Sequence, residues 1–322
     1  MRLIIFVIIA FIVLKSSTFG WRFWSKSFID IKEENAQSVE RLKRHVYKLA
    51  DEIGGRSVYE YEQLGMTVRY ITDTFRSFGY NVEFQDYSVL DKTVKNIIAT
   101  KNGIERPEEI VIVGAHYDTC FNPGADDNGS AVAGLLELAR FISDKQTSRS
   151  IKFIAFVNEE PPFFKTELMG SRIYTKAAKA KGEEIKAALI LESIGYYSDR
   201  PFSQRYPLLF GLFYPNKGNF IAIVGNFTSR RLAKEVVSNF KYRTQFPIES
   251  VVTFNFVPGV DFSDNWSFWK EAYPAVMITD TAFYRNPNYH TSTDLPQTLD
   301  YQSLSEVVNG LSHVLLRLGE SR

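Results

Sequence analysis

Acids and histidines stand in this 322-residue chain where chemistry needs them: His116-Tyr117-Asp118, Asp126-Asp127-Asn128-Gly129-Ser130, Glu159-Glu160, Glu192, Asp280 and His290. Two histidines with three or four carboxylates, and no thiolate among them, form an N/O donor set suited to Zn²⁺ or a similar borderline cation. One ion does not need that many carboxylates, so the set points to two ions sharing a bridging carboxylate and a water. A metal-bound imidazole normally gives its other N–H to a carboxylate. Asp118, two residues beyond His116 in an extended segment, faces the same side and could take it. Of Glu159 and Glu160, one would ligate and the other would take a proton from the water; spacing does not decide between them. Each piece alone has an ordinary explanation. Asp-Asp-Asn-Gly-Ser also suits a turn and a helix cap, Glu159-Glu160 a solvated pair, and Glu192 a partner for a buried arginine. Those explanations do not account for so many carboxylates after apolar strands, where desolvation is costly without a cation.

The elements that must position these groups are legible from apolar periodicity. Val39, Leu42, Val46 and Leu49 recur at helical spacing, as do Leu64, Val68, Ile71 and Phe75, and Gly54-Gly55-Arg56 separates the two runs. Residues 81–89 and 94–100 read as strands, the second ending at the turn Asn102-Gly103. Apolar strands at 110–115, 151–157 and 187–191 then alternate with helices at 130–142 and 171–180. Strand 220–224, a helix from Ser229 to about Phe240, strands 251–256 and 275–279, and an amphipathic helix at 301–318 complete the pattern. Continuous apolar strands joined by helices imply a single α/β domain of three layers, α/β/α, with a mostly parallel central sheet. Ligands in such sheets bind beyond the carboxyl ends of the strands, and the acids and histidines follow the strands at that edge. Residues 196–218, rich in Pro, Tyr, Arg and Phe, read as a long irregular insertion there. Its aromatics at 196–197 and 202–213 are candidates for an apolar pocket.

Composition bounds the rest. Thirty-eight basic against 37 acidic residues suggest no nucleic-acid groove, and no basic run stands out beyond the short Arg41–Arg44 patch. The lone cysteine, Cys120, makes no intrachain disulfide and reads as a small apolar filler rather than a ligand. Met1-Arg2, an apolar run at 3–14 and Lys15-Ser16-Ser17 fit an export signal in residues 1–20, followed by a linker at 21–36 and one domain at 37–322. The run is short of the ~20 residues that span a bilayer, but no A-x-A cleavage site follows it. Residues 1–20 are therefore either a signal peptide or an N-terminal membrane anchor, and the protein is expected to be exported, to the periplasm or outside the cell.

The set Ala115-His116-Tyr117-Asp118, Pro123-Gly124-Ala125-Asp126-Asp127-Asn128-Gly129-Ser130, Asn158-Glu159-Glu160, Leu191-Glu192-Ser193-Ile194-Gly195 and Tyr289-His290-Thr291 resembles the M28 family of zinc exopeptidases, motif by motif and in the same order. The resemblance runs from about Gln37 to the C-terminus. It implies a phosphorylase/hydrolase-like fold with two zinc ions held by His116, Asp127, Glu160, Glu192 and His290, Asp127 bridging. It also implies that Glu159 is the general base, that Asp118 orients His116, and that Asp126 sits beside the site without ligating. The expected activity is removal of N-terminal residues from peptides. A single-zinc glutaminyl-cyclase-like acyltransferase and a non-catalytic ectodomain of the same fold are the alternatives.

Two positions depart from the family pattern. Glu192 stands where many members have Asp, and Asn265 stands in Phe262-Ser263-Asp264-Asn265-Trp266 where a Ser-Asp-His is frequent. The first keeps an oxygen ligand and the second alters a hydrogen-bond donor. Tyr284 and Tyr289 are the candidate oxyanion donors.

Overall fold

Alternate residues of the middle strands feed different cores. Val111, Val113 and Ala115 pack into one apolar cluster, while Ile110 and Ile112 pack into another on the opposite face. Ala187, Leu189 and Leu191 alternate with Ala188 and Ile190 in the same way. A strand buried on both faces must be apolar throughout, which is why these runs lack an in/out polar rhythm.

The computed structural model describes residues 31–320; the N-terminal apolar run and most of the expected linker lie outside them. Helix α1 (Ile31–Tyr47) continues through a π-turn at Lys48–Ile53, and α2 (Tyr61–Ser77) follows the glycine break. Strands β1 (Val82–Val89), β2 (Lys92–Lys101) and β3 (Arg106–His116) lead to α3 (Ala131–Ile142). Then come β4 (Arg149–Phe156), α4 (Gly170–Ala180), β5 (Glu184–Glu192), β6 (Ile221–Gly225), α5 (Arg230–Arg243) and β7 (Ile248–Val252). The chain closes with α6 (Asn265–Lys270), β8 (Ala275–Thr279) and α7 (Tyr301–Glu320).

The eight strands form one sheet in the order β1-β2-β4-β3-β5-β8-β6-β7. Its centre, β4-β3-β5-β8, is parallel, as is β6-β7. The β1-β2, β2-β4 and β6-β8 ladders are antiparallel. The mostly parallel three-layer α/β/α architecture therefore holds, with antiparallel joints flanking the parallel centre. Helices α1, α3, α5 and α7 pack together over one face, and α4 packs with α6 over the other. Helix α7 shows why it docks: Leu304, Val307, Val308, Leu311, Val314, Leu315 and Leu318 form one buried stripe. Asp300 caps it, accepting the N–H of Gln302 at 3.1 Å and of Ser303 at 3.0 Å.

Two elements differ from expectation. The strand expected at 251–256 is β7, Ile248–Val252, and it ends before Phe254 and Phe256, which are exposed and stacked on each other at 5.2 Å. Apolar runs alone do not separate a strand from an exposed aromatic turn. The short helix α6 carries too few turns to show a period. Among the described residues no helix is long and apolar enough to cross a membrane.

Candidate metal centre

Strands β3, β4 and β5 are adjacent and parallel, so their carboxyl ends lie side by side. His116 and Glu192 are the last residues of β3 and β5, and Glu159-Glu160 lie just beyond β4. Asp127 arrives from the turn before α3. Gly124 makes that turn possible: its φ is +59°, and a Cβ there would meet Thr119 Cγ2 at 2.3 Å and the Asp127 carbonyl at 2.4 Å. Asn158, Ser193 and His290 also take positive φ, of 59°, 46° and 56°. Non-glycine residues rarely adopt that conformation, and it is over-represented at functional sites.

One carboxylate lies between the two imidazoles. His116 Nε2 is 3.3 Å from Asp127 Oδ1, and His290 Nε2 is 3.0 Å from Asp127 Oδ2. Glu192 Oε2 lies 3.2 Å from His116 Nε2, and Glu160 Oε1 lies 3.2 Å from His290 Nε2. The five expected ligands thus divide into His116/Glu192 on one side of Asp127 and His290/Glu160 on the other. Glu159 Oε2 is 3.9 Å from His116 Nε2, on the first side. His116 and the four carboxylates are buried, whereas His290 is 28% exposed at the rim.

These atoms are close but do not satisfy one another. His116 Nε2, Glu160 Oε1 and His290 Nε2 are buried without a hydrogen-bond partner among the described residues. They lie close to one another, as ligand atoms do around a cation, and orphaned polar atoms so buried are otherwise costly. His116, Asp127 and Glu160 offer donor atoms all within 4.8 Å of one another. The donor set fits divalent metal.

Electrostatics records the same crowding. Burial pushes the Glu159 carboxyl well above the usual carboxylate range; His116 opposes that and Glu160 and Glu192 add to it. Burial, with Asp127 beside it, raises Glu160 to about 8, although His290 pulls it down. Burial works against charge on His116, but Glu192 and Glu159 outweigh it and hold its pKa well above 6.5. A cation among these groups would stabilise every carboxylate at once.

Supporting residues hold the ligands by their backbone. Asp118 was expected to orient His116. Its carboxylate accepts the N–H groups of Glu159 and Glu160, both at 3.1 Å. His116 Nδ1 lies 3.2 Å from the Asp118 carbonyl and 3.7 Å from its carboxylate, so the backbone oxygen is the nearer partner. Asp294 repeats the device, accepting the N–H of Asp126 at 3.0 Å and of Asp127 at 3.2 Å. Asp126 faces away from the ligands, accepting from Gly195 N–H and Asn286 Nδ2. Asp280, one of the strand-end acids, does not reach the cluster: it accepts the N–H groups of Tyr196 and Ala282. Asn128 and Ser130 do not cap α3; they bind the end of β5 through Leu191 O, Ser193 N–H and Ile194 N–H. Ser263 donates to Glu192 Oε2 at 2.7 Å.

Sequence reasoning missed Asp294 and Ser263. An isolated acid in a Thr-Asp-Leu loop carries no local signal of its partner, which lies 167 residues away. Asn265 turns its amide into the protein, donating to Val260 O at 3.1 Å, and is fully buried. Tyr284 donates to Pro258 O at 3.2 Å, while Tyr289 stacks on His290 at 3.9 Å and borders the neighbouring cavity.

That cavity is open to solvent, and Glu192 and Tyr289 are among its lining residues. Tyr206, Phe210, Val257, Phe262, Met277 and Phe283 give it an apolar lining. The irregular insertion contributes Tyr206 and Phe210, as its composition suggested. Phe202 instead points to solvent, and Tyr197 packs edge-on against Phe246.

The family profile of peptidase family M28 matches residues 96–315. The chain belongs to this peptidase family. An M28-type fold is also what solved structures show. A zinc aminopeptidase from Bacillus subtilis superposes with a TM-score of 0.72 at 14% identity, over 88% of this chain and 95% of that one. A glutaminyl cyclase from Fimbriiglobus ruber does so with a TM-score of 0.67 at 18% identity, over 86% of this chain and 94% of the other. At such identities the likeness concerns the fold alone. The uncharacterized protein YfbL of Escherichia coli K12 is 37% identical over 288 residues, covering 86% of this chain and 88% of YfbL. Leucine aminopeptidase 1 of Trichophyton equinum is 27% identical over 226 residues, 66% of this chain and 54% of that protein. The chain thus spans about half the length of this fungal relative. Peptidase chemistry, a hydrolase activity, follows from the family.

Proposed function

We propose that this M28 peptidase is a two-zinc aminopeptidase that removes large apolar residues from peptide N-termini. The observation carrying the proposal is the division of five ligands about Asp127, one imidazole facing each of its oxygens. His116, Asp127 and Glu192 would hold one ion, and His290, Asp127 and Glu160 the other. Bound zinc supplies an acidified water and an electrophile for the peptide carbonyl.

The chain's own residues then do the following. Glu159, on the His116 side, takes a proton from the attacking water and passes it to the leaving nitrogen. Asp118 fixes the turn presenting Glu159 and Glu160. Tyr289, stacked on His290 and lining the cavity, would donate to the developing oxyanion. The apolar cavity takes the first side chain of the substrate, where burial contributes about 25 cal/mol per Å². We further propose that the N-terminal apolar run exports the protein, either cleaved or retained as an anchor.

The test is hydrolysis of aminoacyl chromogenic substrates by the purified protein and its Glu159→Gln variant. Leu and Phe substrates should be cleaved well by the wild type alone. Cyclisation of N-terminal glutamine with a single bound zinc would favour the cyclase alternative that the fold also accommodates. Absence of both activities in a metal-loaded protein would favour a binding domain.

A further inference from the structure

Cys120 is the only cysteine of the chain, and its sequence gave no reason to treat it as more than filler. The fold places it otherwise. Its sulfur, a Glu160 carboxylate oxygen and a His290 ring nitrogen lie within 4.8 Å of one another. Glu160 Oε1, on a residue 4% exposed, has no hydrogen-bond partner among the described residues, and neither has His290 Nε2. The thiol therefore lies beside two residues that each carry an unpartnered ligand atom.

The loop that carries Cys120 is fastened on both sides by one residue. Arg56, fully buried, donates its backbone N–H to Thr119 Oγ1 at 2.9 Å and accepts the Thr119 N–H at 3.1 Å. Its guanidinium donates to the carbonyls of Pro123 at 2.6 Å and Gly124 at 2.8 Å. The thiol is thus held beside the Glu160–His290 pair by a fixed scaffold.

We propose that Cys120 is a ligand of the ion held by His290, Glu160 and Asp127; this rests on the two-metal reading above. On binding, the S–H bond breaks, a sulfur–metal bond forms, and the proton goes to solvent. The consequence is an asymmetric centre. The His290 position gains a soft sulfur donor from Cys120 beside Glu160 and His290, which the His116 position lacks. The His116 position keeps three protein ligands and an open place beside Glu159. A thiolate also makes the His290 position favour zinc or cadmium over magnesium or manganese.

Because the chain has one cysteine, any thiolate signal must come from this residue. The full chain is stripped with chelator and reloaded with Co²⁺, and metal content is measured beside the near-ultraviolet spectrum. Iodoacetamide labelling is followed with and without metal. Wild-type protein should hold two cobalt ions and show a thiolate-to-cobalt charge-transfer band, and metal should slow alkylation at least tenfold. Cys120→Ser should lose the band and release one ion at least tenfold more readily to a competing chelator. Two bound cobalt ions without the band, or unprotected alkylation, would overturn the ligand assignment and leave the two-metal reading standing. Failure to bind cobalt at all would remove both.

Discussion

Asp294 accepts the backbone N–H of Asp127 at 3.2 Å, so the residue between the two imidazoles is held through its main chain by an acid 167 positions away. Asp118 does the same for Glu160 at 3.1 Å. Both acids position ligands without touching the space between them.

Replacing Asp294 by Asn should therefore weaken metal binding while leaving every ligand in place. The amide would turn an N–H toward an N–H donor, and loss of such supporting contacts costs about 10–100-fold in metal affinity. Competition against a chromophoric chelator measures it. Unchanged affinity would show that Asp127 needs no such support.

Glu159→Gln keeps size and shape but removes the proton acceptor. Its kcat should fall about 10²–10⁴-fold, the range for a lost general base. Metal content should stay at the wild-type value, because Glu159 is not assigned as a ligand. A variant that lost metal together with activity would make Glu159 a ligand instead.

Arg56 is charged, fully buried and fed by five carbonyls: Tyr117, Leu49, Gly54, Pro123 and Gly124. Arg56→Met would leave those oxygens unpaired at about 1–3 kcal/mol for each that water does not reach. A loss of at least about 3 kcal/mol in urea unfolding is expected. A change below about 1 kcal/mol would show that the loops hold themselves.

Acid should destabilise the fold through His45. Burial, with Arg44, Arg41 and Arg140 adding to it, lowers the His45 pKa from 6.5 to about 4, and its Nδ1 lies 2.6 Å from the Tyr70 hydroxyl. Between those values the unfolded chain binds a proton that the folded one refuses. Stability is therefore full above pH 6.5 and falls as pH drops toward 4, by up to roughly 3 kcal/mol. His45→Gln should flatten that dependence in urea titrations at pH 7 and pH 5. An equal slope in both proteins would assign the acid sensitivity elsewhere.

Much of this could be read before any coordinates. Apolar runs located the central strands to within a few residues, because a strand buried on both faces cannot hide. Their ends then offered His116, the Glu159-Glu160 pair and Glu192, and the Asp-Asp-Asn-Gly-Ser turn offered Asp126 and Asp127; the family resemblance chose between the neighbours. What escaped was information carried by distant partners. Asp280 has the same sequence setting as the ligands, yet its carboxylate is taken by Tyr196 and Ala282 N–H. Asp294 has no setting at all until the chain folds. Cys120 looked inert because its neighbours in space, Glu160 and His290, are 40 and 170 residues along the chain. Asp118 has a further role that its spacing did not show, since its carboxylate accepts the Glu159 and Glu160 N–H groups as well as lying 3.7 Å from His116 Nδ1.

The central claim is that two ions at Asp127 make this M28 chain an aminopeptidase. The direct measurement is a zinc titration of the stripped protein, with Leu-p-nitroanilide hydrolysis followed on the same sample. The account predicts binding that saturates at two zinc ions per chain and full activity only when both are present. Saturation at one ion with full activity, or no hydrolysis at two, would contradict it.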